Sequence, residues 1–178
     1  MEQILETENL ILLTGDKHLL KSAIAGNAQL EKHIKFSVPE NWTEFGKPVL
    51  ECSLEKINAS RDEQAWWTYF PIHKHDRKLI GCGGYKGKPN AEGCVEIGYE
   101  IAGDYRNKGL ATELAQALVQ NALKDPRTKI VQAHTLAEEN ASTKVLIKCG
   151  FTKTEELEDP EDGLLWKWEL RKQPPVVL

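Results

Sequence analysis

The feature that most constrains this chain is a change of hydrophobic period within about twenty residues, across "CVEIGYEIAGDYRNKGLATE". Up to Ile101 the run is β-branched and aromatic, as in a strand. From Gly109 onward Leu110, Leu114 and Leu118 step by four, and Ala111, Ala115 and Ala117 fill the same side of a helix. A strand that turns directly into a long amphipathic helix calls for a partner sheet on one side and a core beneath the helix. The turn itself, "DYRNKG", sets successive backbone N–H groups at a helix start, where the aligned peptide dipoles add about half a positive charge. Gly109 removes a Cβ from that spot, and Arg106 and Lys108 bring positive charge. Two readings fit the turn alone: a solvated loop, or a cradle for phosphate groups. It is not a Walker loop, because GxxxxGK[ST] is absent.

The rest of the chain supplies the sheet. "ENLILLTG" reads as a first strand, and Asp16 caps a helix through Leu19, Leu20 and Ile24 that Gly26 ends. A second short helix covers Leu30 to Ile34 and stops before Pro39. The stretch 41–60 stays ambiguous, with Leu50, Leu54 and Ile57 at helical spacing. "QAWWTYFPI", "KLIGCGGYKG" and "CVEIGYEIAG" read as three successive strands separated by charged or Gly-Pro-Asn turns. Beyond the long helix, which Pro126 ends, "KIVQAHTL" is a strand. Asn140 or Ser142 opens another helix, Gly150 caps it, and "FTKTEEL" with "GLLWKWEL" forms a closing hairpin. The class is α+β: an antiparallel meander followed by a β-α-β-α-β-β half.

Bulk properties narrow the function. The 178 residues carry a net charge of -4, so there is no basic footprint for nucleic acid, and a polyanionic ligand would need a local device such as the turn. The N-terminus is acidic without a basic-then-apolar signal pattern, and no apolar run reaches the ~20 residues of a membrane span. Cys52, Cys82, Cys94 and Cys149 never form CxxC, which fits reduced thiols and a cytoplasmic location. "GCGGYKG" fails the dinucleotide pattern because Lys86 stands at the third glycine and a strand follows. "HKHD" (His73 to Asp76) reads as a polar hairpin loop rather than a metal site, and no metal is expected.

The combination "EIGYEIAGDYRNKGLATE" with "ENASTKVLIKCGF" resembles the GNAT superfamily of acetyl-CoA-dependent N-acetyltransferases. Its [QR]-x-x-G-x-[GA] turn is matched by Arg106, Asn107, Lys108, Gly109, Leu110 and Ala111. The family's N-x-x-[SA] helix opening has its Asn here at Asn140, and the departing "GF" is matched at Gly150 and Phe151. The resemblance is nearest to the branch containing ribosomal-protein N-terminal acetyltransferases, where "EIGY" before the turn recurs. It covers Leu79 to Leu170 well, and the first seventy residues only by order of elements.

That resemblance implies a mixed, mostly antiparallel central sheet of about six or seven strands. Helices would lie on both faces, and one parallel strand pair would be splayed. The whole chain, 1–178, would be a single acetyltransferase domain. Residues 1–60 would supply the first strand and acceptor-side helices, 61–172 the CoA-binding core and 173–178 a tail. Arg106 to Ala111 with Thr112 would cradle the CoA pyrophosphate. Backbone from Gly98 through Tyr99 to Ile101 would pair with the pantetheine arm, and Asn140 would hydrogen-bond it from the other wall. Acetyl-CoA would be a cosubstrate, the acceptor a small-molecule or peptide amine, and the protein a monomer or homodimer.

Acetyl transfer to an amine needs a base, because an ammonium cannot attack a thioester. Glu96 and Glu100 lie on the strand beside the expected thioester, and with Gly98 they share one face. Glu96 is preferred because it lies further from the pyrophosphate turn. Many relatives protonate the leaving thiolate with a Tyr on the last helix, and none stands between Asn140 and Gly150 here. Ser142 is the substitute candidate, with a helix cap as its alternative role, and Cys149 is a further one. The missing Tyr also keeps open a non-catalytic acyl-CoA-binding or regulatory module of the same fold.

Overall fold

The computed structural model describes residues 4–173; the expected tail from Pro174 onward lies outside the described residues. In chain order the elements are β1 (Ile4–Glu6), β2 (Leu10–Thr14), α1 (Lys17–Ala25), α2 (Asn27–Ile34), α3 (Gly46–Ala59), β3 (Thr68–His73), β4 (Lys78–Leu79) and β5 (Gly81–Tyr85). They continue through β6 (Cys94–Ile101), α4 (Leu110–Lys124), β7 (Ile130–Leu136), α5 (Ala141–Lys148), β8 (Thr152–Asp159) and β9 (Gly163–Arg171).

Local chemistry explains most boundaries. Asp16 caps α1 by accepting from the backbone N–H of His18 and Leu19. Gly26, at φ 127°, breaks α1 from α2. Asn140 caps α5 through a reciprocal box with Thr143. Ser142, the other candidate for that cap, therefore sits inside the first helical turn. Two expectations about extent change. The stretch before Thr68 is not strand, because Ala65 turns at φ 68° and the Trp66 N–H bonds back to Glu63. The run after His75 splits into β4 and β5 rather than one strand.

The sheet has nine strands, in the order β1-β2-β3-β5-β6-β7-β9-β8 with β4 pairing β3. The extra strands over the expected number are the short β1 and β4. Every pair is antiparallel except β6 with β7, and helices cover both faces.

On one face α4 and α5 pack on Val95, Ile97, Ile101, Val131 and Ala133. On the other, α1 to α3 cover Phe70, Ile72, Leu79 and Cys82. α4 buries Leu110, Leu114 and Leu118 against the sheet, and the Tyr85 hydroxyl donates to the Leu118 carbonyl at 2.7 Å. Leu114 fits this interface closely: a Cβ built on Gly83 would meet its Cδ2 at 3.2 Å.

The parallel pair is short. Its partners are Cys94 with Ile130, Val95 with Val131 and Glu96 with Gln132. Beyond them β6 stays with β5 up to Ile101 and β7 stays with β9 up to Leu136. The two strands diverge, and a gap opens in the middle of the sheet. Since Leu114 is fully buried directly under this region, Leu114→Ala is expected to lower the unfolding free energy by about 2–5 kcal/mol in urea melts. A midpoint equal to wild type would contradict the packing described.

Candidate active site

Site geometry follows from the register. The Lys86 N–H bonds to the Glu96 carbonyl and the Ala102 N–H to the Ile80 carbonyl. In an antiparallel ladder alternate residues direct both backbone groups to the same neighbour. Glu96, Gly98 and Glu100 therefore direct their backbone groups toward β5. Tyr99 and Ile101 direct theirs the other way, into the gap, where the Ile101 carbonyl accepts from Arg106 Nε at 2.8 Å. Gly98 contributes space instead: a Cβ there would meet nothing within 4 Å.

At the end of the gap the chain passes through a 3-10 turn, Gly103–Tyr105, into α4. Asn107 adopts φ 61° and Gly109 φ 78°, which curls the segment around its own N–H groups. α4 has no side-chain cap. Among the described residues the backbone N–H groups of Asn107 to Thr112 have no acceptor. A Cβ on Gly109 would point into open space. Donors that converge, a helix start and a clear approach fit an anion such as a pyrophosphate.

The side chains of the turn have structural duties. Arg106 also pairs with Glu44 ahead of α3. Lys108 Nζ donates to the Asp104 carbonyl at 2.8 Å and lies 4.9 Å from the Tyr105 ring centroid. Tyr105 in turn donates to Asp76 at 2.6 Å. The "HKHD" loop thus buttresses the turn; among the described residues no cluster of three or more His, Cys, Asp or Glu could hold a metal. Leu110 is buried in the core, so only its backbone faces the turn. Ala111 and Thr112 complete the first turn of α4, and Cys149 Sγ lies 3.8 Å from the Thr112 carbonyl oxygen.

The start of α5 forms the opposite wall. Asn140 spends its Oδ1 on the Thr143 N–H at 3.0 Å, leaving Nδ2 without a partner among the described residues. Thr143 stands where the N-x-x-[SA] opening has Ser or Ala, and its hydroxyl is enclosed in the capping box. The Ser142 hydroxyl lies 3.3 Å from the Tyr99 hydroxyl. Burial pushes the Tyr99 phenol up to about 12, so it keeps its proton at neutral pH. No Tyr stands on α5, and the phenol that meets its first turn comes from β6. Sequence reading linked Tyr99 only to cofactor binding.

On the other face the two candidate carboxylates have different surroundings. Glu100 accepts from the Thr43 hydroxyl and from the N–H groups of Glu44 and Phe45, anchoring the approach to α3. Glu96 sits where the strands part, 3.1 Å from His134 Nδ1 and paired with Lys86. Burial raises its pKa, but the contacts with His134 and Lys86 outweigh burial and hold it below the ordinary 4.5. His134 was missed in the sequence. Its signal is the alternation in "KIVQAHTL", where Val131, Ala133 and Thr135 are buried and Gln132 and His134 face the other way.

The model of the acetyltransferase (GNAT) domain matches residues 15–152, which includes the gap, the turn and the start of α5. The chain belongs to the GNAT acetyltransferase family. It is an N-acetyltransferase, and its sequence is 29% identical over 152 residues to an uncharacterised N-acetyltransferase, YjdG, of Bacillus subtilis (strain 168). That match covers 83% of this chain and 89% of the relative. Among solved folds, the ribosomal-protein-S5-alanine acetyltransferase of Vibrio fischeri superposes with a TM-score of 0.69 at 16% identity, covering 96% of this chain and 97% of the other. The ribosomal L7/L12 α-N-protein acetyltransferase RimL, in complex with coenzyme A, gives 0.67 at 13% identity, covering 95% and 98%.

The lowered Glu96 carboxyl makes the acetyltransferase's stability depend on acid. The contribution of this carboxylate is complete above the unfolded value and fades as pH falls through the lower folded value. Glu96→Gln should therefore melt below wild type at neutral pH, and the difference should shrink as pH falls below the ordinary carboxylate value of 4.5 in thermal scans. A pH-independent difference would contradict the ion-pair assignment.

Proposed function

We propose that the protein moves the acetyl group of acetyl-CoA to a primary amine, of a small molecule or a peptide, by direct attack in a ternary complex. The observation that carries this reading is the gap between β6 and β7, which ends on the uncapped start of α4. The acetyl donor proposed here is also supported by the coenzyme A bound in the solved RimL complex.

In this reading the N–H groups of Asn107, Lys108, Gly109, Leu110, Ala111 and Thr112 take the pyrophosphate, while the Arg106 N–H stays on the Gly103 carbonyl. Arg106 holds the turn in shape through Ile101 and Glu44. The backbone of Tyr99 and Ile101 pairs with the pantetheine arm as an added strand would, Gly98 gives it room, and Asn140 Nδ2 donates from the far wall. The thioester carbonyl then lies in the gap near Glu96. The amine nitrogen bonds to that carbon, the C–S bond breaks, and the amine sheds a proton on the side of Glu96. The thiolate leaves beside the hydroxyl pair of Ser142 and Tyr99. Holding amine and thioester together is worth up to ~7–11 kcal/mol, so the proton-transfer groups need supply only part of the rate. Four free cysteines, Cys52, Cys82, Cys94 and Cys149, fit the reducing cytoplasm as its setting.

Isothermal titration with acetyl-CoA, paired with CoA-release assays over a panel of alkyl amines, polyamines and peptides with free N-termini, tests this function. The expected result is binding, with turnover of at least one acceptor. Gly109→Val puts a branched side chain over the N–H groups and should weaken acetyl-CoA binding more than about tenfold, about 1.4 kcal/mol. Wild-type affinity in that variant would overturn the assignment of the turn.

A further inference from the structure

Resting on the acetyl-transfer reading above, we propose that His134 is the residue that takes the proton from the acceptor amine, and that Glu96 is its positioning partner. Three observations carry this. First, His134 is where the chemistry would be. The last pair between β6 and β7 is Glu96 with Gln132, so His134 is the next residue of its face beyond the parting point. Carried two residues further, the register sets it across from Gly98, where a Cβ would meet nothing within 4 Å. The open space in the sheet thus begins beside the imidazole.

Second, the ring is held in a definite orientation. Nδ1 lies 3.1 Å from Glu96 Oε1, and the two side chains are 20% and 16% exposed. A carboxylate on Nδ1 selects the neutral tautomer with the proton on Nδ1, leaving the Nε2 lone pair free. Nε2 has no partner among the described residues.

Third, Glu96 itself is poorly suited to the task. It is paired with both Lys86 and His134, and a carboxylate stabilised in this way holds a proton weakly. An imidazole is the side chain that most often serves as a base near neutral pH. The charged groups around His134 come from four elements: Glu96 on β6, Lys86 just after β5, Lys167 opposite it on β9 and Asp159 at the end of β8. Lys167 is paired with Glu155 and Glu169, and Asp159 feels the charges of Lys86 and His134.

The acceptor arrives as a neutral amine, having lost its ammonium proton to solvent. Its nitrogen bonds to the acetyl carbon, and the C–S bond breaks with its electron pair going to the CoA thiolate. One N–H proton of the amine passes to Nε2. The imidazolium returns that proton to solvent, and the thiolate takes one from solvent.

The test uses the full chain and the panel amine that wild type turns over fastest. For His134→Gln, kcat should fall on the order of 10²-fold with acetyl-CoA affinity unchanged. Wild-type kcat, which reports the bound complex, should rise with pH through one ionisation, and this limb should be missing in the variant; the free amine's own ionisation shows in kcat/KM of both. Glu96→Gln should keep the limb, lower kcat less than His134→Gln does and weaken the ring's preference for a proton on Nδ1. Nitrogen-15 NMR of the wild-type ring, which needs neither acceptor nor variant, should find the neutral form protonated on Nδ1. A wild-type rate and pH limb in His134→Gln, or a neutral ring protonated on Nε2, overturns the proposal. Failure of wild type to bind acetyl-CoA or to acetylate any panel amine overturns the acetyl-transfer reading, and the role of His134 with it. The first pattern leaves acetyl-CoA binding and turnover intact, so the two failures are distinguishable.

Discussion

The parting of β6 and β7 after Glu96 and Gln132 is the constraint on which the rest of the structure depends. Backbone N–H and C=O groups inside a sheet cannot stay unpaired without cost, so a gap in mid-sheet is tolerated only where water or a ligand takes the place of the missing strand. Everything with chemical potential borders this gap: the inward backbone of Tyr99 and Ile101, the uncapped start of α4, the capped start of α5, and the Glu96–His134 pair. The two faces of the sheet divide the labour. The α4 and α5 side holds the hydroxyls of Tyr99 and Ser142, and the opposite side holds the ionisable pair.

Keeping two paired strands apart requires rigid walls, and long-range side-chain contacts provide them. Glu113, in the first turn of α4, accepts from the Asn9 N–H at 2.7 Å and from Asn9 Nδ2 at 2.9 Å, fastening the helix start to the β1–β2 hairpin. Glu100 holds the approach to α3, and Arg106 ties the turn to that same approach through Glu44. The Arg106–Glu44 pair is exposed and adds little stability by itself. Its effect is to hold the guanidinium against the end of β6, so the turn meets its ligand with backbone donors rather than with a mobile charge.

Much of this was legible in the sequence because the signals are local. The strand-to-helix change of period placed β6 and α4, Asp16 and Gly26 delimited α1, and the paired turn and Asn140 motifs led to the family. Tertiary features were less legible. β1 and β4 are too short to show a period, and Pro48 in the first turn of α3 obscured that helix. Glu96, Gly98 and Glu100 do share a face, as strand geometry requires. The division between residues that give backbone and those that give space needs the β5 register, which no single strand reveals. His134 and Tyr99 gain their meaning from neighbours 38 and 43 positions away, Glu96 and Ser142, and spacing along one chain cannot show that.

Whether the parted strands and the start of α4 form one donor site can be read from amide hydrogen exchange with and without acetyl-CoA. Bound acetyl-CoA should slow exchange at Tyr99 and Ile101 and at Asn107 to Ala111 together, with β8 and the β1–β2 hairpin unchanged. Slowed exchange confined to another surface, or none at the gap under saturating acetyl-CoA, would contradict a shared donor site.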